Sequence, residues 1–283
     1  MFEGVRRMTR KVWTHPANEG RRVRQLAVAT RFQILSRLTH KPVKIHVGED
    51  SRLWASLDSS STILAAYARV PDYVEWSVWR RFLGPGDLFV DVGSNVGLYS
   101  VLAHELDAEI IAVEPHPDNV ARLRRNLDLN DAQAQVHELA LSDSVGTIRF
   151  SADLDSENRM DVEGSLLVAV DTFDRLIGER VVAGVKIDVE GAERQVLVGA
   201  SHALAEGRIG LLQIEWNHTA RENFGESREP VAELLATHGY ALFRPGPGGA
   251  LRPSSEEEGT DMFAARPETV TQLLDRSAVG GRP

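Results

Sequence analysis

Four carboxylates lie in or directly after four short apolar runs of this sequence, and together they could do chemistry. Asp91 stands inside Leu88-Phe89-Val90-Asp91-Val92, Glu114 follows Ile110 to Val113, Asp188 follows Val185-Lys186-Ile187, and Glu215 follows Leu211 to Ile214. Each run is short and rich in branched apolar residues, the pattern of a strand covered on both faces. Right-handed crossovers bring the ends of successive parallel strands to one edge of a sheet. Four acids at such ends would share one site at the switch point of an open sheet. Carboxylates there can accept hydrogen bonds from a ligand's ammonium, amide or hydroxyl groups, or take a proton from a reacting hydroxyl.

The turn after the first run sharpens this reading. In Asp91-Val92-Gly93-Ser94-Asn95-Val96-Gly97, Gly93 permits a tight bend, and Gly97 lets a ligand or the sheet approach the start of the next helix. A dinucleotide fingerprint would need glycines where Asn95 and Leu98 stand. Glu114, followed by Pro115, closes the second strand, where a carboxylate can take both hydroxyls of a ribose. Ala140-Leu141-Ser142-Asp143 closes the third, and its small and apolar residues suit the flat face of an adenine. Asp143 or Glu138 can accept from the ring's amino group or serve as plain solvated turn acids.

The spacing D-x-G-x-x-x-G resembles the first motif of class I S-adenosylmethionine-dependent methyltransferases, whose loop cradles the methionine part of the cofactor. Lys186-Ile187-Asp188-Val189-Glu190-Gly191-Ala192-Glu193 resembles the K-I-D-V-E-G-A-E signature of the FkbM methyltransferase family. Motif order matches over roughly residues 70 to 265. Ser94 stands where that family often has alanine. The resemblance implies an α/β, Rossmann-like class I methyltransferase fold: seven mostly parallel strands, the last antiparallel, with helices on both faces. It implies S-adenosylmethionine held by Asp91, Gly93, Ser94, Asn95, Gly97, Glu114, Pro115, Ala140, Leu141 and Asp188. It also implies O-methylation of a small-molecule hydroxyl on a sugar, glycolipid or polyketide-like natural product.

A hydroxyl is a poor nucleophile, so a base or a metal should stand near it. Asp188 is the first choice as base, with Glu190, Glu215 and His218 as the other candidates. Asp188, Glu215 and Asn217 offer oxygen ligands to a divalent metal, without the spacing of a specific metal motif. Lys186 and Glu193 are expected in structural ion pairs. Two rival readings use the same residues: a nicotinamide-dependent oxidoreductase, and a membrane-associated binding protein with a non-catalytic Rossmann-like domain.

The elements that must position these groups follow from the rest of the chain. Its 283 residues suffice for one large α/β domain with an appendage. We divide it into a basic N-terminal arm and helical or hairpin extension (1–83, a lid or oligomer contact), a methyltransferase domain (84–270, with an insertion at 145–170) and a flexible tail (271–283). With no cysteine, thiolate catalysis, disulfides and iron–sulfur clusters are excluded. No apolar run approaches membrane-spanning length and no signal-peptide core is present, so a cytoplasmic setting is expected. Residues 1–44 hold eleven Lys or Arg against two acids, net +9, which leaves 21 basic and 39 acidic residues beyond them, net −18. So acidic a body argues against general nucleic-acid binding, whereas the basic arm could touch an anionic membrane surface, nucleic acid or the acidic body itself, or simply present solvated helix faces.

Residues 1–23 read as a loose arm and the stretch through Leu38 as a helix. A short hairpin is expected around Gly48 to Ser51. A helix follows whose stripe of Tyr73, Trp76, Trp79 and Phe82 packs over the edge of the sheet or joins two copies. Val136 to Leu141 reads as one strand, residues 147–151 and 166–170 as a strand pair, Val185 to Val189 as a buried strand followed by one helix through Ala205, and Pro245 to Gly259 as a mobile hairpin loop.

Overall fold

The computed structural model describes residues 2–150, 166–215, 227–254 and 261–271. The N-terminal part comprises α1 (Phe2–Thr14), α2 (Arg22–Thr39), β1 (Val43–His46), β2 (Arg52–Ala55), α3 (Ser60–Tyr67) and α4 (Tyr73–Phe82). The alternating part begins with β3 (Leu88–Val92), α5 (Leu98–His104), β4 (Glu109–Val113), α6 (Pro117–Asp128) and β5 (Gln135–His137). A small sheet is built from β6 (Ala140–Leu141), β7 (Gly146–Phe150) and β8 (Leu166–Asp171), and α7 (Phe173–Ile177) follows it. Then come β9 (Val182–Ile187), α8 (Glu193–Val198), α9 (Ser201–Ala205), β10 (Ile209–Glu215), α10 (Glu229–Thr237), β11 (Ala241–Gly246), β12 (Ala250–Pro253) and β13 (Asp261–Ala265).

The main sheet runs β12-β11-β13-β10-β9-β3-β4-β5. Neighbours from β5 to β10 are parallel, and β13 enters antiparallel between β10 and β11. The expectation of seven strands is one short, because β12 folds back on β11 at the sheet's edge. The stretch expected as a mobile loop from Pro245 therefore supplies the end of β11 and all of β12, and residues 255–259 lie outside the described residues. All five residues of β3 are buried, as a strand covered on both faces requires. Phe89 joins the apolar cluster shared with α4, α5, α6 and the N-terminal hairpin, while Leu88, Val90 and Val92 join that of α7 to α10.

Several expectations are corrected. The first residues form α1 rather than a loose arm, because Met8 and Val12 lie one helical turn apart and pack with Leu26, Ala29 and Tyr67. Pro16 opens a short 3-10 turn instead of breaking the arm, and Asn18 Nδ2 donates to the carbonyls of Val12 and Tyr67. The aromatic helix does not lie over the edge of the sheet. Trp79 sits above its middle, 5.0 Å from Phe89 and 5.7 Å from Phe263, where a side chain on Gly184 of β9 would collide with it.

Residues 136–141 are not one strand. Glu114 takes the His137 carbonyl at the end of the β4–β5 ladder, and Ala140–Leu141 turns away to pair with β8. The helix expected through Ala205 breaks between α8 and α9, where Gly199 leaves room for the Ser142 carbonyl. The expected hairpin (β1–β2) and insertion pair (β7–β8) are both present, antiparallel. The acidic stretch 152–164 and the tail beyond residue 271 lie outside the described residues.

Candidate active site

The ends of β3, β4, β9 and β10 meet along one edge, as the four carboxylates require. Gly93 turns the chain out of β3 at φ +76°, and a Cβ there would stand 1.8 Å from the Asp188 carbonyl oxygen. The glycine thus serves first to press the β3 loop against the β9 loop. Gly97 works on the other side: at φ +84° it begins α5, and a Cβ would lie 2.4 Å from Leu123 Cδ1 of α6. Its need is helix packing rather than ligand approach. The amides of Gly93 and Ser94 donate to the Val113 carbonyl, which fastens the loop to the end of β4.

Asp91 is 1% exposed, and its Oδ2 accepts from the Ser100 amide at 3.0 Å and the Ser100 hydroxyl at 2.7 Å. Its Oδ1 is buried without a hydrogen-bond partner among the described residues. Burial raises its pKa, against the opposing charge of Lys186. An unsatisfied buried acceptor beside a glycine turn fits an ammonium or amide donor.

Glu114 is held more fully. Oε2 accepts from the Asn95 amide at 2.8 Å, and Oε1 from the His116 amide at 3.0 Å and Asn119 Nδ2 at 3.4 Å. Burial nevertheless pushes it up to about 7. Each carboxylate oxygen has two lone pairs, so Oε2 keeps one free for a hydroxyl, while Oε1 can offer one only if the long Asn119 bond yields. The residue that caps α6 is His116, through Nδ1, rather than Asp118 or Asn119. Pro115 sits between Glu114 and that cap.

Ala140 and Leu141 are buried within the protein's own apolar clusters. Glu138 lies 4.0 Å from Arg124, and Asp143 accepts from the Ser142 and Ser144 hydroxyls, which are the roles of surface acids.

The second corner forms around β9 and β10. Lys186 Nζ donates to Asp188 Oδ2 at 2.6 Å and lies 4.7 Å over the Tyr99 ring. Burial alone would lower this ammonium, but the charges of Asp188, Asp91 and Asp261 outweigh it and hold the group above its ordinary value. The expected ion pair is therefore present for Lys186. Glu193 instead caps the turn, accepting from the amides of Val189 and Gly191, and burial pushes it up to about 7. Glu190 and Gly191 both take positive φ, +55° and +107°. The second value is one that only glycine adopts readily.

Ligand oxygens of Asp188, Glu190 and Glu215 lie within 4.8 Å of one another. Burial, then the charges of Asp188, Glu190 and Glu193, push Glu215 up to about 10. Such a cluster is relieved by a proton or by a cation. Among the described residues, Asp188, Glu190 and Glu215 are the group that could hold a metal ion. Trp216, Asn217 and His218 lie outside those residues, and the structure places neither Asn217 nor His218.

Sequence reasoning missed a buried polar network beside this corner. Gln213 Oε1 accepts from Trp79 Nε1, and Gln213 Nε2 lies 3.1 Å from both the Tyr99 hydroxyl and Asp261 Oδ2. Asp72, which precedes α4, hydrogen-bonds Tyr99, and its pKa is raised by burial. Asp261 is pushed up to about 7 by burial, with Lys186 opposing. A signal for Asp261 was present: it begins an antiparallel strand, so its start pairs with the end of β10, Glu215 against Asp261. Asp72 carried none, because a carboxylate before a helix is an ordinary cap.

The model of the family described as Methyltransferase FkbM domain matches residues 91–242, more than half of the chain. Hexuronic acid methyltransferase AglP of Haloferax volcanii is 32% identical over 134 residues, 45% of this chain and 56% of that protein. AMB antimetabolite synthetase AmbE of Pseudomonas aeruginosa is 27% identical over 256 residues, 71% of this chain but 12% of that protein. 31-O-demethyl-FK506 methyltransferase FkbM of Streptomyces tacrolimicus is 29% identical over 200 residues, 56% of this chain and 75% of that protein. The chain spans about half the length of the first of these relatives and a small part of the second.

Proposed function

The chain belongs to the FkbM methyltransferase family, and we propose that it is an S-adenosylmethionine-dependent O-methyltransferase acting on a hydroxyl of a sugar, glycolipid or polyketide-like natural product. One observation carries the reading. The glycine loop and the Asp188 backbone are packed so closely that no side chain fits between them, which makes the β3–β4 corner and the β9–β10 corner one site. The relatives support the chemistry: one is described as a hexuronic acid methyltransferase and another as a methyltransferase of 31-O-demethyl-FK506.

The first corner fits the cofactor. Asp91 Oδ1 lacks a donor among the described residues, and Glu114 is held by two backbone amides with a lone pair to spare for a ribose hydroxyl. When bound, S-adenosylmethionine supplies an electrophilic methyl group on a sulfonium, open to in-line displacement. The protein's share is positioning and proton removal.

In this reading Asp188 accepts the proton of the attacking hydroxyl. Lys186 fixes one carboxylate oxygen and leaves the other for the acceptor, and the Asp188 side chain is 38% exposed. Burial and the neighbouring acids push Glu215 up to about 10, so in this reading it carries a proton at neutral pH. A divalent cation on Asp188, Glu190 and Glu215 would displace that proton and orient the hydroxyl instead. Asp72 and Asp261 lie in the field of the Lys186–Asp188 pair, with Glu75 beside them; above about pH 7, where Asp261 ionises, this acidic wall favours a neutral acceptor over an anionic one.

Incubation with methyl-labelled S-adenosylmethionine and a panel of neutral sugars, glycolipids and macrolide alcohols, with a hexuronic acid for contrast, tests the reading. Label on a hydroxyl oxygen of a neutral acceptor is expected. Label only on nitrogen, carbon or a carboxylate would contradict it.

A further inference from the structure

Helix α2 is apolar on two opposite sides. Gln25, Ala29, Phe32 and Ser36 face the core. At about 100° per residue, Val23, Ala27, Ile34 and Leu38 fall on the opposite side, where Val23 is 73%, Ile34 52% and Leu38 74% exposed. Their stripe runs for about 22 Å along the helix. Exposed Arg24, Arg31 and Arg37 border it. Helix α1 repeats the pattern at its edge: Met8 and Val12 turn inward, while Val5 and Trp13, on the adjoining ridge, are 53% and 48% exposed beside Arg6 and Arg10. Val23 with Ala27 and Ile34 with Leu38 form two apolar pairs parted by the exposed Thr30 and Arg31, and apolar side chains grouped on one solvent face mark an interaction surface.

We propose that the α1–α2 pair docks this protein on an anionic phospholipid bilayer, its exposed apolar residues entering the interface and its arginines meeting the headgroups. Charge decides between occupants. Residues 1–44 carry net +9 and the remaining chain −18, so only this end is attracted to a negative surface. A symmetric contact with a second copy would place Arg24, Arg31 and Arg37 opposite the same residues of the other chain, which like-charge repulsion opposes. Apolar residues bordered by arginine, on a helix not apolar enough to cross a bilayer, is the pattern of a helix lying in the interface plane. The inference does not rest on the methyl-transfer reading.

The test is sedimentation of the full chain with vesicles of phosphatidylcholine, with and without phosphatidylglycerol. We expect binding to the phosphatidylglycerol vesicles alone, weakened by added salt. Replacing the solvent-facing stripe (Val23→Gln, Ile34→Gln, Leu38→Gln) should cut the partition coefficient on the order of tenfold or more without lowering the melting temperature. The charge variant Arg24→Gln, Arg31→Gln, Arg37→Gln should do the same, and Val181→Gln, an exposed apolar residue elsewhere, should change nothing. The proposal is overturned if the anionic vesicles leave the protein in solution, if neutral vesicles hold it equally, or if both triple variants bind like the parent. A lipid-free dimer dissolved by the stripe variant would also overturn it, by assigning the stripe to a contact between copies.

Discussion

Two corners of the same sheet edge hold their carboxylates in opposite ways. At the β3–β4 corner, Glu114 is surrounded by donors: two backbone amides and a side-chain amide fix it, and the loop carrying Gly93 and Ser94 is bonded to the end of β4. At the β9–β10 corner, Asp188, Glu190 and Glu215 crowd within 4.8 Å, opposed chiefly by Lys186. In the proposed reading the first corner receives the cofactor. The second gathers acids whose crowding a proton, a cation or a basic neighbour such as Arg228 relieves. That reading separates binding from chemistry across the Gly93–Asp188 contact, and mutations on the two sides should fail differently.

The largest effect belongs to the second corner. Asp188→Asn should lower kcat by about 10²- to 10⁴-fold, the usual share of a general base, while leaving the affinity for S-adenosylhomocysteine unchanged. Full activity would pass the base to Glu215 or His218. Glu114→Ala should do the reverse: cofactor affinity falls about 10- to 100-fold, as for loss of charged hydrogen bonds, with kcat preserved at saturation. Equal loss of kcat and affinity in both variants would erase the separation.

Glu215→Gln is a smaller and more discriminating change. If Glu215 carries a proton, the amide mimics it, activity stays within about threefold, and chelation by EDTA has no effect. Loss of activity in both experiments would assign the cluster to a metal.

The smallest effect is on stability. Glu114, Glu193 and Asp261 hold folded values of about 7, above their unfolded ones. The folded state therefore binds these protons more tightly, so this contribution is full below the unfolded values and is lost as pH rises through about 7. The ligand-free protein should melt several degrees higher at about pH 5.5 than at about pH 8, and Glu193→Gln should reduce the difference by its own share, as read by thermal scanning.

Part of this edge was legible in the sequence because its signals are local. The run from Asp91 to Gly97 predicts a strand, a turn and a helix, and Lys186 was expected in the ion pair it forms, whereas Glu193, expected in another, caps the positive-φ turn at Gly191. Gly97 was legible as a required glycine, yet its reason, Leu123 of α6, is a tertiary contact that spacing cannot show. The same limit hid Asp72, Tyr99 and Gln213, which come together from separate elements. The first helix was missed for a related cause. Its apolar face is narrow, and only docking on Leu26, Ala29 and Tyr67 makes Met8 and Val12 a core.

Calorimetric titration of the purified protein with S-adenosylhomocysteine, beside NAD and with Glu114→Ala as a second protein, tests the central claim most directly. The account predicts saturable binding of S-adenosylhomocysteine, none of NAD, and marked weakening in the variant. Binding of NAD instead, or of neither ligand, would contradict it and return Gly93 and Gly97 to a purely structural role.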